Sequence, residues 1–438
     1  MLKNLFEGLR NIFKIPELKN RVLFTLAMLL VYRLGCHVPT PGINAQALAA
    51  FMKTQAGGIL GFLDLFTGGA FKTFSVFALG IMPYISMSII MQLLTAVIPS
   101  LEKLAKEGES GRKKITQYTR YGTVLLCAIQ SYGMTFMMHH VGKGIVKDWG
   151  IGFQLMTVIT LTTGTIFIMW LGERITEKGI GNGMSLLIFA GIVARIPAEI
   201  VNTFKLIKSG ALQPFLVLLV GVGMVIITAF VVFIETGARR IPVQYAQRIV
   251  GRKVYGGAST YLPLKVDFSG VIAIIFASSV ASMPGMIGKF FPNNIFFETI
   301  VSWFSPGALV YNIIYVVLII FFCYFYTAVI FNPTDVAENI KKYGGFIPGV
   351  RPGEATAKFI DYTLTRITLV GAIAVAFIAI LPDILMRSMN IPFYFGGTSL
   401  LIVVGVALDT MKQIESHLLM RHYEGFMKDS KLKSRAGF

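Results

Sequence analysis

The chain has 438 residues, 55% of them hydrophobic and 14% charged, with a formal net charge of +18. Soluble chains carry roughly a quarter charged residues, so this composition, with a mean hydropathy of +0.69, excludes a disordered chain, a coiled coil, a collagen-like chain and an ordinary soluble enzyme. The medium is lipid.

In chain order, Leu5, Phe6, Leu9, Ile12 and Phe13 recur at helical spacing among Lys3, Arg10 and Lys14, the pattern of a helix lying on a membrane surface. The first long apolar run, Val22 to Val38, ends near Arg33-Leu34-Gly35-Cys36. That tetrad superficially resembles a lipoprotein cleavage site. Arg33 stands where an apolar residue belongs, so the run reads as a membrane span and not as a removed signal. Spanning needs about 20 apolar residues, and ten runs meet that scale: 22–38, 74–98, 118–138, 154–171, 183–201, 214–234, 269–288, 308–331, 367–386 and 393–411.

With the N-terminus cytoplasmic, the even number returns the C-terminus to the same side. The cytoplasmic segments then hold 30 Lys/Arg against 8 opposite, and the positive-inside rule fixes that orientation. Between the first two runs lies a shorter apolar stretch, residues 57–69, bracketed by Gly57-Gly58 and Gly68-Gly69: Ile59, Leu60, Gly61, Phe62, Leu63, Asp64, Leu65, Phe66 and Thr67. It is too short to cross and too apolar for a free loop, so it tucks back into the protein from the outer side. A static capping helix fits the pattern as well.

Ion-coupled transporters keep carboxylates or histidines deep in the membrane, and these runs are nearly bare of them. Glu199, Asp383 and Asp409 sit near ends, Arg33 and Arg195 are close enough to an interface to snorkel, and His37, His139, His140, His417 and His422 are terminal or outside. His-Glu-x-x-His, Gly-x-Ser-x-Gly and the P-loop pattern do not occur, so neither an enzyme nor a cofactor or metal site is expected. Cys36, Cys127 and Cys323 lie far apart in apolar stretches and read as small core residues. Lys178-Gly179-Ile180-Gly181-Asn182-Gly183 reads as a tight connection between two spans.

Two cytoplasmic loops exceed what a hairpin needs. In 235–268, Val/Ile/Tyr alternation and a turn at Gly256-Gly257 suggest a short hairpin projecting Arg239, Arg240, Arg248, Arg252 and Lys253. In 332–366, prolines and glycines shape a presented surface around Arg351. The cations either hold topology alone or dock an acidic protein surface or RNA phosphate.

Phe77-Ala78-Leu79-Gly80-Ile81-Met82-Pro83-Tyr84-Ile85-Ser86, Gly108-Glu109-Ser110-Gly111-Arg112-Lys113-Lys114, Gly179 to Gly183, Arg239-Arg240-Ile241-Pro242-Val243-Gln244-Tyr245, Arg351-Pro352-Gly353 and Phe393-Tyr394-Phe395-Gly396-Gly397-Thr398-Ser399 resemble, in order and over nearly the whole chain, signatures of the SecY family, the central subunits of bacterial Sec protein translocases. Gln247 stands where many members carry lysine, and 289–307 matches poorly.

The resemblance implies an all-α, multi-pass protein of the bacterial inner membrane. Ten helices form two inverted halves, residues 1–205 and 206–438, around an hourglass pore. It makes 57–69 the plug, and carries a pore ring onto Ile81, Ile85, Ile188, Ile275 and Ile402. On sequence alone these isoleucines would face lipid or a neighbouring helix.

Ser86, Gln92, Met283 and Pro284 fall on a lateral gate between spans two and three and spans seven and eight, with Gly80, Pro83 and Gly285 placing irregular backbone beside it. The implied function is passage of unfolded secretory polypeptides, with sideways release of apolar segments. The implied partners are SecE, SecG, the SecA ATPase, the ribosome, signal sequences and unfolded preproteins, and anionic lipids. The seal is expected to need no charged group. The rival reading is an ion-coupled transporter of a small solute.

Overall fold

A computed structural model describes residues 15–44, 47–48, 61, 64, 66–141, 144–146, 148–210, 212–245, 248–250, 253–255, 260–288, 295–305, 308–389 and 397–429. The surface helix expected within residues 1–14 lies outside them.

A helix occupies each of the ten apolar runs: α1 Pro16–Gly35, α2 Met82–Val97 with α3 Pro99–Lys106, α4 Glu109–Val141, α5 Ile151–Lys178, α6 Gly183–Val193 with α7 Ile196–Lys208, α8 Pro214–Thr236, then, after four strands, α9 Val271–Gly288, α10 Ile295–Trp303, α11 Leu309–Ile330, α12 Pro333–Lys342, α13 Glu354–Met389 and α14 Gly397–Asp429. Among the described residues, six stretches are long and apolar enough to cross a membrane, and a seventh if α2 and α3, bent by 99°, count as one. The chain is a multi-pass membrane protein.

Local chemistry sets the helix ends. Proline opens α1, α2, α3, α8 and α12, where its missing N–H costs nothing. Asn182 caps α6 by accepting from the N–H groups of Met184 (3.0 Å) and Ser185 (3.3 Å), satisfying donors the helix leaves open. The 179–183 glycines thus serve the tight connection expected of them: Gly181 takes φ +87°, and Gly183 lies against the Gly172 carbonyl where a Cβ would collide.

The run expected to span from residue 74 begins differently. Residues 67–81 form successive turns, with Phe74 at φ +43° and Gly80 at φ +58°, and helix starts only at Met82. The backbone turns away because Phe71, Phe74, Ala78 and Leu79 are buried against Met134, Met137 and Met138 of α4 and Leu161 of α5.

The chain packs as two compact units, Met1–Pro197 with Val406–Phe438, and Ala198–Gly405. In the first, α5 packs against α1, α4 and α6, and α4 against α2. Gln413, from the end of α14, accepts from the Gly181 N–H at 2.8 Å. In the second, α11 packs against α9 and α13.

The hairpin expected in 235–268 is present but built otherwise. β1 Ala238–Tyr245 pairs antiparallel with β4 Thr260–Lys265, from Ala238↔Lys265 to Val243↔Thr260, and β2 Arg248–Val250 with β3 Lys253–Tyr255. The reversal therefore falls between Val250 and Lys253. Gly256-Gly257 follow β3 and lie outside the described residues. β5 Gly345–Phe346 adds to the other edge of β1 through Gln244↔Phe346 and Tyr245↔Gly345, so the two long loops form one three-stranded sheet, ordered β4-β1-β5.

Candidate functional site

The first unit holds the segment expected to re-enter. Of the candidate plug residues, Ile59, Leu60, Phe62, Leu63 and Leu65 lie outside the described residues. Gly61, Asp64 and Phe66 are helical, and Thr67, Gly68 and Gly69 form the turn that follows.

That turn is held from two sides. From α1, Tyr32 Oη donates to the Thr67 carbonyl (3.3 Å), Arg33 Nη1 to the Gly68 carbonyl, and Cys36 Sγ to the Thr67 carbonyl (3.9 Å). From the break between α6 and α7, Arg195 Nη1 lies 3.2 Å from Asp64 Oδ2. Asp64 is 0% exposed, and its other oxygen accepts from the Lys72 backbone N–H at 3.0 Å. Lys72 Nζ is 3.9 Å from Oδ2 and half-exposed. Within the turn, Thr67 Oγ1 and the Gly69 N–H both donate to the Asp64 carbonyl, at 3.2 and 3.0 Å.

Two sequence expectations are corrected here. Arg33 and Arg195 do not snorkel: one donates to a carbonyl of the turn and the other pairs with a buried carboxylate. Holding this segment does involve charged groups, against the expectation that none is needed. The physical reason is that Asp64 is removed from water, and a buried carboxylate requires an opposite charge or several donors.

Apolar contact completes the seat. A Cβ on Gly68 would stand 2.8 Å from Gly191 Cα, and one on Gly80 would stand 2.9 Å from Thr67 Cγ2. Gly35 presses on the Phe77 ring, which stacks on Tyr32 at 6.0 Å between centroids. Sequence reasoning missed Tyr32, Cys36 and Gly191 as seat residues. The readable signal was Arg195, a lone cation inside an apolar run.

The five isoleucines are all buried. Ile81 directly precedes α2, Ile85 is in its first turn, Ile188 is on α6, Ile275 on α9 and Ile402 on α14. Ser86 and Gln92 on α2, and Met283 and Pro284 on α9, are half-buried, and Pro284 lies inside its helix. Cys36, Cys127 and Cys323 are buried free thiols.

In the second unit the three-stranded sheet rests on an apolar base. Ile241, Val243 and Leu264 are buried with Ile340 and Ile347 and with Ile360 and Leu364 of α13. Strand alternation sends side chains to opposite faces, so Arg240, Pro242 and Gln244 point away from that core, and Arg239 is exposed as well. Arg351 is exposed, and its backbone carbonyl accepts from Thr356 Oγ1 at 2.8 Å. Arg248 and Lys253 lie in the distal strands, their side chains outside the description, and Arg252 is outside it altogether.

Comparison with known proteins decides the family. A family model described as SecY matches residues 75–411. The protein translocase subunit SecY of Escherichia coli K12 is 50% identical over 422 residues, covering 95% of each chain. The chain belongs to the SecY family. Its similarity to SecY of Aquifex aeolicus is 47% over 96% of this chain and 99% of that one, and to SecY of Thermotoga maritima 45% over 98% and 100%.

The same fold is found in solved structures at lower identity. A protein-conducting channel matches with TM-score 0.66 at 19% identity over 96% of this chain and 98% of that one. Sec61 from a canine ribosome-channel complex matches with TM-score 0.61 at 17% identity over 96% and 98%. The SecY assignment gives no support to the rival reading, an ion-coupled transporter of small solutes.

Proposed function

We propose that this SecY-family chain is the protein-conducting channel of a bacterial inner-membrane translocase, with both termini in the cytoplasm. One observation carries the reading: 50% identity along 95% of the chain with a protein translocase subunit. An unfolded chain cannot cross hydrocarbon unaided, because each unpaired peptide group there costs several kcal/mol. It needs a lined path.

In this reading Ile81, Ile85, Ile188, Ile275 and Ile402 form the constriction. Their burial and their lack of any polar atom support that role, since an apolar throat excludes water and ions yet offers a passing peptide no fixed partner. The segment around Asp64 to Gly69 is the plug above it. Ser86 and Gln92 on one side and Met283 and Pro284 on the other bound the seam through which segments of about 20 apolar residues pass into lipid.

The chain carries no P-loop pattern, so driving force comes from partners. The basic sheet around Arg239, Arg240 and Arg351 is a docking surface for SecA or a ribosome, SecE clamps the halves and SecG lies beside them, while anionic lipids neutralise the basic rim. Solved structures of similar fold include Sec61 in a canine ribosome-channel complex and a yeast Ssh1 complex bound to the yeast 80S ribosome. The partition of 30 basic residues on one side against 8 on the other supports the orientation.

The test is reconstitution of the chain with its partner subunits in vesicles, followed by addition of a preprotein, SecA and ATP. Protease-protected preprotein that depends on an intact signal sequence supports the function. Solute-driven ion flux without preprotein transport overturns it.

A further inference from the structure

The ion pair Asp64–Arg195 joins the re-entrant segment to the break between α6 and α7, and its chemistry bears on how that segment moves. Asp64 is fully buried and Arg195 nearly so, its side chain 15% exposed. The partners face each other at 3.2 Å. Among the described residues, two further cationic groups come near the turn: Lys72, at 3.9 Å and half-exposed, and Arg33, which donates to the Gly68 carbonyl.

A buried ion pair adds little net stability, because desolvation offsets most of the attraction. Its effect on motion is larger. Displacing the segment by a few ångströms separates the two charges before water reaches either, so at intermediate positions their mutual attraction is lost while both are still desolvated. Such an interaction favours two end positions, seated with the pair intact or fully withdrawn with both charges hydrated, over anything between.

We propose that Asp64 and Arg195 form an electrostatic latch that slows unseating of the plug and makes the channel's idle state two-positioned. Arg195 is thus a positioning residue for the gate and touches no translocating substrate. This rests on the plug reading of the segment. The holds on the turn from α1, by Tyr32, Arg33 and Cys36, are single hydrogen bonds to backbone carbonyls and break one at a time, whereas the ion pair breaks as a unit.

The test records opening frequency of the idle, fully assembled complex in planar bilayers. Four variants are compared with wild type: Asp64→Asn, Arg195→Gln, the double variant Asp64→Asn/Arg195→Gln, and a deletion of residues 59–66. Each single variant removes one partner of the buried pair and should open at least about 100-fold more often, on the scale of that loss. The double variant removes both charges of the pair and should still open about tenfold more often than wild type because the barrier is gone. Arg195→Lys, which keeps the charge, should stay within about threefold of wild type.

A double variant indistinguishable from wild type overturns the latch, as do single variants whose effects simply add. If the deletion itself leaves opening frequency unchanged, the plug reading fails. If the deletion raises it and the charge variants do not, the plug reading stands and only the latch falls.

Discussion

Gly68 and Gly191 meet backbone to backbone: a Cβ on Gly68 would lie 2.8 Å from Gly191 Cα, and one on Gly191 would lie 3.2 Å from Gly68 Cα. Gly68 also holds φ +66°, a conformation costing about 1 kcal/mol or more with a side chain. Gly68→Ala therefore strains the turn twice, and Gly191→Ala only presses on it. Ion leak through idle reconstituted channels should rise in the order wild type, Gly191→Ala, Gly68→Ala. Equal leak in all three would show that the contact does not hold the proposed plug.

Arg351 is exposed and, among the described residues, its recorded hydrogen bond is through its backbone carbonyl, which leaves its side chain at the surface where a partner would dock. Arg351→Glu should leave the complex folded and of normal yield while cutting preprotein transport about tenfold or more, the scale of one like-charge clash at an interface. Unchanged transport would remove Arg351 from the proposed docking surface.

Ile360 on α13 and Leu264 on β4 are 0% exposed and belong to one cluster. The sheet carrying the basic residues is anchored there. Ile360→Ala should cost about 2–5 kcal/mol, read as a lower thermal midpoint of the purified complex, with loss of partner binding even though no basic residue has changed. A shift no larger than that of an exposed substitution such as Phe359→Ala would contradict the anchoring.

Asp267 closes the turn leading into α9: one carboxylate oxygen accepts from Ser269 N (2.9 Å), Ser269 Oγ (2.6 Å) and Gly270 N (3.0 Å). Asp267→Ala should destabilise by about 1–2 kcal/mol, as loss of a cap does, and Asp267→Asn by less. Thermal unfolding distinguishes them, and an alanine variant as stable as wild type would contradict the assignment.

Helix positions were legible because lipid imposes one rule: long apolar runs form helices that satisfy their own backbone. All ten runs hold one. The turns at 67–81 were not, because their apolar residues are those of a span; the difference shows only in the folded chain, in the positive φ of Gly68, Gly69, Phe74 and Gly80 and in burial against α4 and α5. β5 escaped because two residues, Gly345 and Phe346, form no pattern. They become a strand only by meeting Gln244 and Tyr245, about a hundred residues away.

The basic loops were each visible as charge; their union in one sheet was not. Around the short apolar stretch 57–69 the sequence displayed Asp64 and Arg195 separately, one inside that stretch and one inside a long apolar run. Pairing is a property of the folded chain, where excluding water from a carboxylate forces a cation beside it.

The most direct test replaces Cys36, Cys127 and Cys323, introduces Ile81→Cys, and asks whether a secretory chain arrested in transit forms an adduct there. Ile81 is buried just ahead of α2, so a thiol at that position meets translocating polypeptide only if the polypeptide passes the proposed ring. Adduct formation that depends on the arrested chain is the predicted result. No adduct at that position, while a thiol at the cytoplasmic mouth reacts, would contradict the channel assignment.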